Sequence, residues 1–296
     1  MIVALYGRAL PDGQKSGLEA CVDAFVQSGV EVILFEKLAE SLIRLGGRWT
    51  GAVFGESVPD VGHSGFFVTL GGDGTLLDSV VHVRDQGIPV LGINYGRLGY
   101  LTSALPEQMK GVVQQLIDGQ FTIEQRSMVF MESEESLFGD CPYALNELAI
   151  HKNNLSSVIR IQVLVDGVNM NTYHADGLVI STPTGSTGYN LSCGGPITMP
   201  NAQVFVVSAV APHNLNVRPV VLPDASTLHL NIESAGSGVM LSMDSRSVFI
   251  QKPGRIVVRR NSFDFPLVRL NGQNHLSVLR SKLMWGVDRR NERDHY

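Results

Sequence analysis

The chain is poor in cysteine, carries no block of basic residues and has no long apolar run. Cys21, Cys141 and Cys193 are its three cysteines in 296 residues. They are far apart, odd in number and in no CxxC pattern, which argues against a disulfide frame or a zinc site and for reduced thiols in a cytoplasmic protein. The net charge of -5 comes without any Lys/Arg cluster, so a nucleic-acid backbone is a poor partner. A small anionic ligand stays open, because local dipoles govern its binding more than net charge does. Residues 1–6 lack a basic lead and a cleavage motif, so no signal peptide is expected. The longest apolar stretch, residues 204–211, is too short to span a bilayer, so no membrane partner is expected. HExxH, GxSxG and GKT or GKS are also missing. Their absence argues against zinc proteases, serine hydrolases of that type and P-loop NTPases.

What is present starts with Gly71-Gly72-Asp73-Gly74-Thr75, between the apolar run 66–70 and the sequence Leu76-Leu77-Asp78. Three glycines and a carboxylate then stand at the turn from a strand into a helix. Glycine there permits backbone angles closed to other residues and lets a ligand approach closely. The N–H groups opening the next helix favour an anion. Thr75 with Asp78 reads as a helix-start capping box. Asp73 would repel a phosphate unless something offsets it, such as Mg²⁺ or a hydroxyl proton that the carboxylate accepts. The loop thus points to phosphoryl transfer to an alcohol. Taken alone, it also fits a tight turn with a solvated Asp.

The first third alternates between strand patterns (2–6, 30–35, 66–70, 88–93) and helix patterns (17–27, 75–86), which predicts a parallel sheet with ligands beyond the carboxyl ends of its strands. The glycine loop and residues 94–99 both fall there. A helix follows at 106–118. Beyond it come many short strand-like runs, from 121–123 to 267–270, separated by turns such as Asp166-Gly167 and Pro253-Gly254. These predict an antiparallel sandwich or barrel. The expected organisation is an α/β N-terminal domain over 1–104 and an all-β C-terminal domain over 105–274. A helix from 275, in the segment 275–296, is expected to return to the first domain. The ligand site is expected between the two.

Two further constellations stand out. Thr182-Pro183-Thr184-Gly185-Ser186-Thr187-Gly188-Tyr189 follows a strand and offers hydroxyls to a ribose, a base edge or a phosphate, with Tyr189 able to stack on a ring. An ordinary loop between strands fits equally well. Asn146-Glu147 interrupts an apolar run, so both side chains require hydrogen bonds. A carboxylate suits a ribose diol, and Asn both donates and accepts. One residue facing water with the other capping a neighbour is the alternative. His174-Ala175-Asp176-Gly177 precedes the strand that leads to the threonine loop, and Asp-Gly by itself marks a turn.

In this order the motifs resemble the NAD kinase family over most of the chain. The series is Gly71–Thr75, then residues 92–102, Asn146-Glu147, residues 176–189 and Gly194-Gly195-Pro196-Ile197. The first motif is shared with lipid kinases, whereas the Asn-Glu pair and the threonine loop are more specific. The resemblance implies transfer of the γ-phosphoryl of ATP to the 2′-hydroxyl of the adenosine ribose of NAD. Asp73 would be the general base. Gly71, Gly72 and Gly74 would admit the donor phosphates, with Thr75 in the same loop. Asn146 and Glu147 would hold ribose hydroxyls and adjoining phosphates. Thr184, Thr187, Gly188 and Tyr189 would hold adenine and ribose, and Asp176 the nicotinamide carboxamide. Mg²⁺ or another divalent cation would arrive with ATP, with no all-protein metal cage. A homodimer or homotetramer is implied, neighbouring β domains completing the site. Two positions depart from the family pattern: Gly188 replaces a common Ala, and His174 stands where bacterial relatives often carry Arg. The alternatives are a lipid kinase sharing the glycine loop and a non-catalytic NADP(H) sensor; the latter would be natural had Asp73 been lost.

Overall fold

Apolar, β-branched runs near the N-terminus fold as strands buried on both faces. Ile2–Gly7, Glu31–Phe35, Phe66–Leu70 and Val90–Ile93 pair in parallel, with the short strand Val53–Phe54 beside Glu31–Phe35. Strands of this kind need helical cover, and Lys15–Gln27 and Glu36–Arg44 pack against them. The structure is a computed structural model describing residues 1–9, 13–95, 99–153, 158–235 and 238–285. Strand order in this sheet is 53–54, 31–35, 2–7, 66–70, 90–93, 265–270, 121–126. The chain winds outward from 2–7 to 53–54 and then restarts on the other side with 66–70. That reversal makes a crevice at the carboxyl ends of Ile2–Gly7 and Phe66–Leu70, the general ligand position in open α/β sheets.

The chain divides into two units, one of Met1–Glu124 with Pro266–Tyr296 and one of Gln125–Phe265. The boundaries therefore differ from 104 and 274. The helix Met109–Ile117 packs on Lys15–Gln27 and so belongs to the first unit. Strand Phe265–Leu270 pairs in parallel with Val90–Ile93 through Leu267 and Val90. The helix His275–Leu283 follows it in the first unit, while residues 286–296 lie outside the described residues. The helix expected over 75–86 is two short ones, Asp73–Asp78 and Val80–Val83, the second ended by Arg84 at φ 50°. The capping box at Thr75 is not formed. Gly72 is the N-cap, no side chain caps it, and Thr75 lies buried one turn inside.

The second unit is two six-stranded antiparallel sheets. Alternation along Ile159–Val165, Leu228–Glu233 and Val239–Met243 turns one set of side chains inward. Ile161, Leu230 and Val258 from one sheet meet Ile150, Ile180, Phe205 and Leu241 from the other in one core. Fully burying each such side chain contributes about 1.5–3 kcal/mol. Strand Gly177–Ser181 is buried along its whole length. Its second face is covered by the segment after it, where Ser208 Oγ donates to Asn190 Oδ1 at 2.7 Å.

Candidate active site

In the first unit the glycine loop sits at the crevice expected of it. Gly71 has φ 153°, and a Cβ there would fall 2.2 Å from Thr75 Oγ1, so only glycine fits. Gly72 and Gly74 differ. Both are exposed, and a Cβ on either would meet nothing closer than 3.9 Å. Internal packing does not require glycine at these two positions, and the open space leaves their backbone approachable from outside. Asp73 opens the helix, and its carboxylate is clasped by a neighbouring loop. Oδ2 accepts from the Tyr100 N–H at 2.7 Å, and Oδ1 from those of Leu101 and Thr102 at 3.1 and 3.2 Å. A carboxylate has about four acceptor directions, so one remains on Oδ2. Gly99 is obligatory beside it, since a Cβ would overlap Asp73 Oδ1 at 1.8 Å. Residues 96–98 of the 92–102 motif lie outside the described residues.

Arg8, which the sequence reading missed, follows Ile2–Gly7 into the same crevice. Its Nε donates to Asp78 Oδ2 at 2.6 Å, and Nη2 lies 4.0 Å from where a Gly74 Cβ would stand. A cation therefore flanks the loop whose carboxylate would repel phosphate. Its position at the end of a buried first strand was the available signal. Among the described residues, no group of three or more His, Cys, Asp and Glu side chains is arranged to hold a metal ion.

In the second unit Asn146 and Glu147 stand at the entry to strand Glu147–Lys152. Their backbone is held by Asp244, whose carboxylate accepts from the N–H groups of Leu145 and Asn146, each at 2.8 Å. Asp244 lies in the turn between Val239–Met243 and Arg246–Ile250 at φ 52°. Arg246 beside it donates to the carbonyl oxygens of Cys141 and Tyr143. Nothing in local spacing marks Asp244, some hundred residues away. Asn146 Oδ1 and Glu147 Oε2 are buried atoms without a hydrogen-bond partner among the described residues. Burial of that kind costs about 1–3 kcal/mol per atom unless a ligand supplies the bond. Burial raises the Glu147 carboxyl to about 8; the Asp244 charge adds to this and a bond from the Tyr189 N–H opposes it. Burial likewise raises Asp244 to about 6, against the hydrogen bonds it accepts from the backbone and the pull of Arg246.

The threonine loop packs onto this pair. Gly185 is required there, because a Cβ would fall 2.2 Å from the Asn146 carbonyl oxygen, and a Cβ on Gly188 would come within 2.9 Å of Glu147 Oε2. Most of the loop is less accessible than its composition predicts. Thr182 Oγ1 donates to the Leu145 carbonyl, and Ser186 Oγ to that of Pro183. Thr184 is buried against the buried Arg126. These hydroxyls build the turn Thr184–Thr187 itself. Thr187, Gly188 and Tyr189 remain partly exposed, with the Tyr189 ring centred 5.3 Å from that of His151.

His174 and Asp176 are not brought to this pair within one chain. His174 is exposed on Val168–Ala175, and Asp176 is ion-paired with Lys152 at 2.7 Å. Ser181 lies opposite Glu147 and Gly177 opposite His151. Asp176 and Glu147 thus stand at opposite ends of the paired strands, roughly 17 Å apart at ~3.4 Å per residue.

Residues 62–121 match the ATP-NAD kinase N-terminal domain and residues 145–270 the ATP-NAD kinase C-terminal domain. The NAD kinase of Cytophaga hutchinsonii is 37% identical over 295 residues, covering 98% of this chain and 100% of that one. That of Christiangramia forsetii is 40% identical over 227 residues, 76% of this chain and 77% of that one. An NAD kinase from Archaeoglobus fulgidus, solved in complex with ATP, superposes with TM-score 0.73 at 26% identity over 96% of this chain and 99% of that one. Yeast NADH kinase, complexed with NADH, shares the fold with TM-score 0.82 at 24% identity, over 97% of this chain and 89% of that one. A lipid kinase sharing the glycine loop alone would not explain the match over 145–270, and Asp73 is retained, so neither alternative reading is favoured. With matches across both units and a relative aligned end to end, the chain belongs to the ATP-NAD kinase family.

Proposed function

We propose that this enzyme transfers the γ-phosphoryl of ATP to the 2′-hydroxyl of the adenosine ribose of NAD, giving NADP and ADP, with Asp73 as the base that takes the hydroxyl proton. The observation that carries the reading is the Asp73 carboxylate, fixed by three backbone N–H groups at the switch point of a parallel sheet with one acceptor direction left on Oδ2. A hydroxyl is a weak nucleophile, and a positioned base contributes about 10²–10⁴-fold. Gly72 and Gly74 leave backbone open to the donor phosphates, with Gly71 and Thr75 shaping the loop and Arg8 offsetting charge. A divalent cation brought with ATP would neutralise phosphate charge, held mainly by phosphate and water oxygens.

Asn146 and Glu147 hold ribose hydroxyls, which supply the bonds that Asn146 Oδ1 and Glu147 Oε2 lack. Thr187, Gly188 and Tyr189 contact adenine and ribose. Thr184 acts from beneath, through the turn it buries. Asp176 and His174 serve the nicotinamide end. Because they lie far from Glu147 in one chain, a homodimer or homotetramer in which a neighbouring copy brings them to the dinucleotide fits the separation. Incubation with Mg-ATP and NAD, read by an NADP-specific dehydrogenase, tests the reaction. Absence of NADP with folded protein would overturn it.

A further inference from the structure

We propose that Arg269 and Glu124 are positioning residues for Asp73, acting through the two peptide groups between residues 100 and 102. This rests on the reading of Asp73 as the base. The N–H groups of Leu101 and Thr102 donate to Asp73 Oδ1. The carbonyl ends of those same two peptide groups belong to Tyr100 and Leu101, and both point to Arg269. Nη2 donates to the Tyr100 oxygen at 3.0 Å and Nη1 to the Leu101 oxygen at 3.5 Å. Two successive peptide planes are thus held between a guanidinium at their oxygen ends and a carboxylate at their nitrogen ends. Hydrogen bonds in series polarise one another, so each end strengthens the other.

The guanidinium is itself fixed. Its Nε donates to Glu124 Oε2 at 3.1 Å, and its side chain is 12% exposed. All these residues belong to the first unit. The space next to Arg269 is a cavity of about 20 Å³ lined by Thr102, Glu124, Gln273 and His275. That holds one water and no substrate. Arg269 therefore acts on the reaction through the loop that clasps Asp73 and not by touching a reactant. Lysine could replace it only in part, because three bonds from one planar fork need arginine.

The test is NADP formation by Arg269→Gln, Arg269→Lys and Glu124→Gln, alone and with Asp73→Asn. Arg269→Gln is expected to lower kcat about tenfold by loosening the base while KM for NAD stays within about twofold. Arg269→Lys is expected to recover part of that loss, and Glu124→Gln to show the smallest one. In the Asp73→Asn background, Arg269→Gln is expected to cost nothing further, because residues acting as a unit are non-additive. Faster amide exchange at Leu101 and Thr102 in Arg269→Gln is expected alongside. Should Arg269→Gln fail to fold, Arg269→Lys and Glu124→Gln carry the same comparison. An unchanged kcat per binding site, or losses that add to those of Asp73→Asn, would overturn the proposal while leaving Asp73 as base. Full kcat in Asp73→Asn alone would instead remove the base, and the proposal with it.

Discussion

Each unit fixes candidate site residues with a carboxylate that gathers successive backbone N–H groups, yet the two differ in what that carboxylate is left to do. In the first, Asp73 is both the clasp and the proposed base. In the second, Asp244 is the clasp, and Asn146 and Glu147 on the clasped segment keep buried atoms unpaired. Chemistry needs one group held rigidly at one point, so fixing the base and using it coincide. In the proposed reading, binding a dinucleotide needs several unsatisfied groups in a row, so a separate residue holds the backbone and leaves the side chains of Asn146 and Glu147 to the ligand.

The difference is tested most severely at Asp73. Asp73→Asn places an NH₂ where one of three N–H donors points and removes the base. It should lower kcat at least about a hundredfold with NAD affinity within about tenfold. An unchanged kcat would remove Asp73 from the mechanism. Asp244→Asn makes the same chemical change in the other clasp and should do the converse. Dinucleotide Kd by calorimetry should rise about five- to 150-fold, a loss on the order of 1–3 kcal/mol, with saturating kcat changed less. A fall in kcat at constant Kd would break the comparison.

A gentler probe is pH. Glu147 and Asp244 both titrate above the ordinary carboxylate range, at about 8 and about 6. The folded chain therefore keeps protons that the unfolded chain releases. The stability these groups contribute is complete at low pH and is lost as pH rises, through about 6 for Asp244 and about 8 for Glu147. The Tm of nucleotide-free protein should fall from about pH 5 to pH 9, and Glu147→Gln should flatten the upper part. Since Gln imitates the protonated acid, NAD affinities of mutant and wild type should converge near pH 6 and diverge by about 1–2 kcal/mol near pH 9. A flat Tm profile in wild type would contradict this account. The smallest effect belongs to His174, exposed and remote from Glu147 in one chain. Between wild type and His174→Ala, the NAD/NADH preference in kcat/KM should differ by about a few-fold. An identical preference in His174→Ala would exclude it from the choice.

Much of this was legible locally. Period-2 alternation marked Val239–Met243 and Ile159–Val165, and the glycine loop announced its crevice. The helix Glu36–Arg44 went unread because only Leu38, Ala39 and Leu42 mark its buried face among charged neighbours. The broken helix after Asp73 was unread because its pattern continues across Ser79, whose backbone angles stay helical while its N–H turns to the Leu76 oxygen, three residues back. Pairing of Leu267 with Val90 joins distant segments, and no local periodicity encodes it. The same holds for Asp244 and for the two bonds that Arg269 makes to the loop, which run to backbone groups. A side chain that binds a main-chain N–H or C=O leaves no mark in the sequence of its partner.

The first unit is interrupted by the whole of the second, since Phe265–Leu270 completes its sheet. During synthesis at about 5–20 residues per second, the parallel strands around Asp73 emerge many seconds before the strand that carries Arg269. The second unit is contiguous and has all its strands by then. A nascent chain can thus assemble the unit that carries Asn146 and Glu147 before the unit that carries Asp73 is closed.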